Sequence, residues 1–261
     1  PFDSPAARAL STKIAERIML AAYEASCALA ERSGPLPAWS KTRTARGVLH
    51  PDHYDAGLNW PERWQALRER IARSGMRNAL LLAVAPTATI ASIAGVYECI
   101  EPQVSNLFKR ETLSGEFLQV NTYLVDELKG LGVWDARTRE ALREARGSVQ
   151  GFTWIPEEVR NLFRTAWEIP QRALIDMAAA RTPFLDQSQS LNLFLETPTI
   201  GKLSSMYAYA WKQGIKTTYY LRSRPATRIA RPAAGLSARP APDPGAIACS
   251  LENPDSCEAC Q

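Results

Sequence analysis

From Pro5 to about Arg32, apolar residues recur at helical spacing, and Ile14, Ile18, Leu20, Ala21 and Leu29 lie near a common face. Ser4 stands where an N-cap belongs and Pro5 suits the first turn, so the pattern predicts one long amphipathic helix. Residues 34–59 lose that period, carry several prolines and hold both histidines, and they read as a loop over the surface. The period returns over Trp60 to Ser74, "WPERWQALRERIARS", with Pro61 in the first turn and Gly75 as the stop. "RNALLLAVA" is different. It is a continuous apolar run of strand length, as expected of a parallel strand buried on both faces, and "PTATIASIAG" then opens another helix.

Further helical patterns cover Glu111 to Val149, in "SGEFLQVNTYLVDELKGLG" and "DARTREALREARG". Two more are "IPEEVRNLFRTAWEIPQRALIDMAAARTP" and, after an extended "SQSLNLFLE", "TIGKLSSMYAYAWKQG". "KTTYYLR" reads as a last strand. Strands alternating with long helices predict an α/β fold with parallel strands. From Ser223 onward the chain turns to Pro, Ala, Arg and Gly without apolar period, which predicts a disordered tether. The expected division is a folded portion, 1–222, and a tail, 223–261.

Composition narrows the function classes. At 261 residues the chain can bury a sizeable core, and its net charge of +4 is mild. The arginines are scattered except for a cluster at Arg222, Arg224, Arg228, Arg231 and Arg239, so no nucleic-acid partner is expected. The most apolar stretch, "NALLLAVAPTATIASIAGV", is interrupted by Pro86 and hydroxyl side chains, so no membrane span is expected either. There is no initiator methionine and no signal-peptide pattern, which leads us to expect a piece of a longer, cytoplasmic polypeptide. Five cysteines, with Cys249, Cys257 and Cys260 crowded into the last thirteen residues, do not make a disulfide framework. Cys27, inside a helix, reads as core filler. His50 and His53 lack a third ligand, and no metal site is expected.

Three places could carry chemistry. In "AVAPTATIAS" a strand runs into a helix start, where unpaired N–H groups and the helix dipole suit an anion, and small side chains let it approach. Thr87 and Thr89 add hydroxyls. Both a phosphate cradle and a plain strand-to-helix turn fit this stretch, which lacks the glycines and lysine of a P-loop. In "CEACQ", Cys257 and Cys260 have the spacing of a redox dithiol. In "TTYYLR", Tyr219 and Tyr220 are adjacent. They either satisfy the aromatic preference of strands or pass an oxidising equivalent between stacked rings.

The chain resembles the C-terminal part of the large, catalytic subunit of class I ribonucleotide reductase. The likeness is carried by "EASC", "GMRNALLLAVAPTATIA", "IEPQVSNLFKRETLSGEF", "DQSQSLNLFLE", "GKLSSMYAYAWKQGIKTTYYLR", "RPA" and "CSLENPDSCEACQ". The resemblance implies the later part of a ten-stranded α/β barrel with surrounding helices, followed by the tail. It implies reduction of ribonucleoside diphosphates to deoxyribonucleoside diphosphates by a thiyl-radical mechanism. By the same likeness Pro86, Thr87, Ala88, Thr89 and Ile90 bind the substrate diphosphate, and Tyr219 and Tyr220 relay a radical from a small, metal-containing subunit. Cys257 and Cys260 re-reduce the active-site disulfide and are reset by thioredoxin or glutaredoxin, with Cys249 a less defined participant. The full-length chain is expected to form a homodimer. Sites for ATP and dNTP effectors, the thiyl-forming and substrate-reducing cysteines and the active-site carboxylate match no residue here and are expected upstream. This piece alone is therefore expected to be inactive and to hold no cofactor. Competing readings are an adenosylcobalamin-dependent reductase and a non-catalytic fragment that docks thioredoxin-like partners.

Overall fold

The computed structural model describes residues 1–112 and 115–224. Its order is α1 (Pro5–Ser33), α2 (Pro61–Ser74), α3 (Ala88–Ala94), β1 (Leu107–Thr112), β2 (Gly115–Val120), α4 (Thr122–Gly130), α5 (Ala136–Glu144), α6 (Glu157–Leu162), α7 (Gln171–Arg181), β3 (Leu193–Phe194), α8 (Ile200–Lys212) and β4 (Leu221–Arg222). The α/β reading holds. The tail beyond Arg224, with Cys249, Cys257 and Cys260, lies outside the described residues.

Helix α1 begins and ends as its sequence dictates. The Ser4 hydroxyl accepts from the Ala7 N–H, and at the far end the Gly34 N–H donates to Ala30. Its buried face is the expected one only at Leu20. Met19, Leu20, Tyr23 and Cys27 point into a core with Trp64, Leu67 and Ile71 of α2, while Ile14, Ile18 and Leu29 are exposed. The Glu16 carboxylate decides the rotation of the helix. It is fully buried and accepts from Asn59 N (2.9 and 3.0 Å), Asn59 Nδ2 (2.5 Å), Trp60 N (3.3 Å) and Trp64 Nε1 (3.1 Å). A buried charge must be matched by donors, so the face carrying Glu16 turns inward and the isoleucines turn outward. Helix α2 ends at Gly75, whose φ of +74° and near contact with Pro35 exclude a side chain.

The segment 34–59 does run between helices, but it contains short 3-10 turns rather than open loop. Leu49 and Pro51 are buried within it.

Three extended segments lie side by side and parallel. Residues 82–84 bond to 187–190 through Gln187 N to Leu82 O (3.0 Å), Val84 N to Ser188 O (3.1 Å) and Ser190 N to Val84 O (2.9 Å). On the other side β3 pairs with β4, Leu193 with Leu221 and Phe194 with Arg222. The expected strand "RNALLLAVA" is thus reduced to a single bridge, Val84 with Gln189, and Leu80 is 57% exposed. Only one neighbour flanks it among the described residues, so its apolar run is not enclosed.

Two helical expectations fail. "SGEFLQV" is not helix but strand β2, paired antiparallel with β1 from Leu107 opposite Val120 to Thr112 opposite Gly115. Asn121 stops any helix from extending backward. Its side chain accepts from Tyr123 N and Leu124 N as the N-cap of α4, and its own N–H donates to Asn106 O. The long pattern from Ile155 to Pro183 divides into α6, which stops at Leu162, and α7, which starts after Pro170, a residue with no N–H to continue a helix ladder into it. The hairpin side of the fold has its own core of Leu124, Leu128, Leu142 and Val149, and α7, α8 and β3 share another around Leu174, Leu193 and Met206.

Candidate functional site

The site assembles at one end of the three parallel segments. Asp186 fixes the entry, because its carboxylate accepts from Leu81 N (3.0 and 3.1 Å) and Leu82 N (2.8 Å) just before the chain reaches Pro86. Thr87 follows in the left-handed region at φ 56° and N-caps α3 without a side-chain bond. A β-branched residue there costs roughly 1 kcal/mol or more. The N–H groups of Ala88, Thr89 and Ile90 are the first of the helix and have no intrahelical acceptor. Thr87, Ala88, Thr89 and Ile90 are all exposed, so a ligand can reach them.

Cys99 closes the back of this loop. Its N–H donates to Pro86 O (3.3 Å) and its thiol to the same oxygen (3.6 Å), which holds Cys99 at φ 66°. Burial, followed by the nearby charges of Glu101 and Glu98, pushes the Cys99 thiol up, so it stays protonated at neutral pH and remains a donor. Beside it are two buried polar groups, Glu101 and Asn192, 6% and 2% exposed, and Arg181, 4% exposed, is near enough to Glu101 to feel its charge. Burial pushes Arg181 down to about 10, against the favourable field of Glu101, and it keeps its charge at neutral pH.

Tyr219 and Tyr220 share one side of the chain. Their ring centroids are 4.1 Å apart, their planes are tilted by 49°, and the Tyr219 hydroxyl donates to the Tyr220 hydroxyl at 3.3 Å. Successive residues of a regular strand point to opposite faces. Here the regular pairing starts only at Leu221, and the two tyrosines precede it. Their backbone is held nonetheless, by Tyr219 N to Leu191 O (2.8 Å) and Leu193 N to Tyr220 O (2.9 Å). The Arg222 guanidinium lies 5.6 Å from the Tyr220 ring centre.

The ribonucleotide reductase barrel-domain model matches residues 1–221. The chain belongs to the ribonucleotide reductase family.

Its relatives agree. The chain is 45% identical over 229 residues to the ribonucleoside-diphosphate reductase large chain of Encephalitozoon cuniculi, covering 87% of this chain and 30% of that one. It is 39% identical over 278 residues to the large subunit of Arabidopsis thaliana, covering 100% and 34%. Among solved structures it is similar to the class Id ribonucleotide reductase alpha subunit of Actinobacillus ureae, with a TM-score of 0.63, 26% identity and coverage of 85% and 35%. The chain therefore spans about a third of the length of these relatives, and its fold is of the α/β barrel type.

Within this chain, the structure draws the Pro86–Ile90 loop and the tyrosine pair to one region through Cys99 and Asn192. It does not bear on Cys257 and Cys260, which fall outside the described residues. His50 and His53 are engaged separately: His50 Nε2 lies 3.3 Å from Thr182 O and 3.4 Å from Lys216 Nζ, and His53 meets Arg43. No group of three or more potential metal ligands occurs among the described residues, and none of the described helices is long and apolar enough to cross a membrane. Sequence reasoning missed Asn192, Glu101 and Arg181. A polar residue inside an apolar run, as Asn192 is in "SLNLF", was the available signal.

Proposed function

We propose that this chain is the later part of the catalytic subunit of a class I ribonucleotide reductase, reducing ribonucleoside diphosphates to deoxyribonucleoside diphosphates by thiyl-radical chemistry. It contributes part of a ten-stranded barrel, and a tail that carries a dithiol. The observation that carries the reading is the Tyr219–Tyr220 contact. Two phenols whose hydroxyls are 3.3 Å apart can exchange a hydrogen atom. One ring loses an electron to the other's phenoxyl radical while the proton crosses the same short gap. An adenosylcobalamin enzyme, which makes its radical at the cofactor, has no use for such a contact.

On this reading the radical originates at the metal cofactor of a small partner subunit, and this chain holds no metal. The substrate diphosphate sits on the N–H groups of Ala88, Thr89 and Ile90, beside the Thr87 and Thr89 hydroxyls and against Pro86. The helix start supplies positive potential without a charged side chain. Each turnover leaves a disulfide in the active site. The Cys257 and Cys260 pair takes up that oxidation by thiolate exchange, and is itself reduced by thioredoxin or glutaredoxin. The assembled enzyme is a homodimer of the full-length chain in the cytoplasm, regulated by ATP and dNTPs at sites outside this piece.

The test is Tyr219→Phe in the full-length chain with its small subunit. Ring volume is kept and the phenol is lost, so melting temperature and substrate binding stay as in the parent while turnover disappears. Persisting turnover overturns the relay.

A further inference from the structure

We propose that Asn192 is a positioning residue that holds the Pro86–Ile90 loop and the tyrosine pair in one fixed relation, acting through Cys99 on one side and the Tyr220 backbone on the other. The inference rests on the functional reading of those two elements given above.

Asn192 lies between Leu191 and Leu193, which are 2% and 0% exposed, and is itself 2% exposed. An apolar residue would be cheaper there, since a buried amide is tolerated only when its hydrogen bonds are met. They are met on three sides. Nδ2 donates to Glu101 Oε2 (3.0 Å) and to Cys99 Sγ (3.3 Å), and Oδ1 accepts from Tyr220 N (3.4 Å). The Asn192 backbone N–H also donates to Glu101 Oε1 (3.1 Å). The carboxylate fixes which way the amide faces. A rotated amide would present its oxygen to Glu101, so Oδ1 must point at Tyr220.

On the other side, Cys99 passes the constraint to the loop. Its sulfur accepts from Asn192 while its thiol hydrogen and its N–H both meet Pro86 O. The raised thiol keeps that hydrogen in place at neutral pH. Thr87 and Cys99 are both non-glycine residues in the left-handed region, at φ 56° and 66°. Such conformations persist only where surroundings hold them. The amide of Asn192 thus joins segments of the chain that carry residues 86–99, 101 and 220.

The test uses the full-length chain with its small subunit, and reads binding apart from turnover. Asn192→Leu keeps the volume and removes every side-chain bond. We expect the dissociation constant for cytidine diphosphate, measured by calorimetry without any radical chemistry, to rise by about tenfold, and kcat to fall by about tenfold. Cys99→Ala touches only the loop side and raises the dissociation constant severalfold, and Cys99→Ser, which keeps a donor and an acceptor, restores it. If Asn192→Leu fails to fold, the Cys99→Ala and Cys99→Ser pair decides alone. Dissociation constants within twofold of the parent in Asn192→Leu and Cys99→Ala, with only the melting temperature lowered, overturn the proposal and leave Asn192 as packing. A parent chain that does not bind cytidine diphosphate overturns the functional reading, and this inference with it.

Discussion

Replacing Glu16 by glutamine would remove a charge from the centre of the α1–α2 core. In the parent its two oxygens serve the Asn59 N–H, the Asn59 amide, the Trp60 N–H and the Trp64 indole N–H, all at 2.5 to 3.3 Å. An amide keeps one acceptor and turns an NH2 toward those donors, so several are left buried and unmet. Each bond to a charged acceptor contributes about 1.5–3 kcal/mol, and such losses do not add fully. We expect a destabilisation of about 4 kcal/mol. With a urea slope of about 3 kcal/mol per molar, suited to a chain of this size, the midpoint falls by about 1.3 M. Trp64→Phe is the control. It removes one indole N–H while keeping an aromatic ring, costs about 2 kcal/mol from that bond to a charged acceptor, and shifts the midpoint by about 0.7 M. Urea unfolding followed by circular dichroism reads both. A Glu16→Gln midpoint no lower than that of Trp64→Phe refutes the claim that the carboxylate sets the helix rotation.

Thr87→Gly relieves the left-handed strain and raises stability by about 0.5–1 kcal/mol, or the urea midpoint by about 0.2–0.3 M, while loss of the hydroxyl weakens binding of cytidine diphosphate in calorimetry. His50 gives a pH signature. Burial, and then the Lys216 cation, hold the His50 ring below its ordinary 6.5. In the window from about 6.5 down to that lower folded value the unfolded chain binds more protons, so stability is complete above 6.5 and falls as pH drops through the window. His50→Gln flattens that slope in urea midpoints measured between about pH 5.5 and pH 7.5.

Much of the architecture could be read from local chemistry. Ser4 with Pro5, Pro61 with Gly75, and Thr199 ahead of α8 mark helix ends through bonds to the chain within a few residues. Where the deciding partner is remote, the pattern misleads. The inward face of α1 depends on Asn59, Trp60 and Trp64, so apolar spacing alone chose the wrong isoleucines. "GEFLQV" takes strand form because β1 is there to pair with it and because Asn121 is spent as a cap. The tyrosines were legible as a pair but not as a contact, since the contact depends on where regular pairing begins at Leu221. Cys99 and Glu101 are near neighbours in sequence, but Asn192 reaches them across 93 and 91 positions of chain. No periodicity in either segment announces that they meet.

The bridge between Val84 and Gln189 joins residues more than a hundred positions apart, whereas the hairpin of β1 and β2 is closed by adjacent sequence. Chain entropy opposes long closures before any contact rewards them, so contacts of high sequence separation form slowly. The helical units and the hairpin can condense early on their own. The seam on which the Pro86–Ile90 loop and the phenol pair depend closes after them, which makes the edge proposed to carry the chemistry the part most dependent on everything else having folded first.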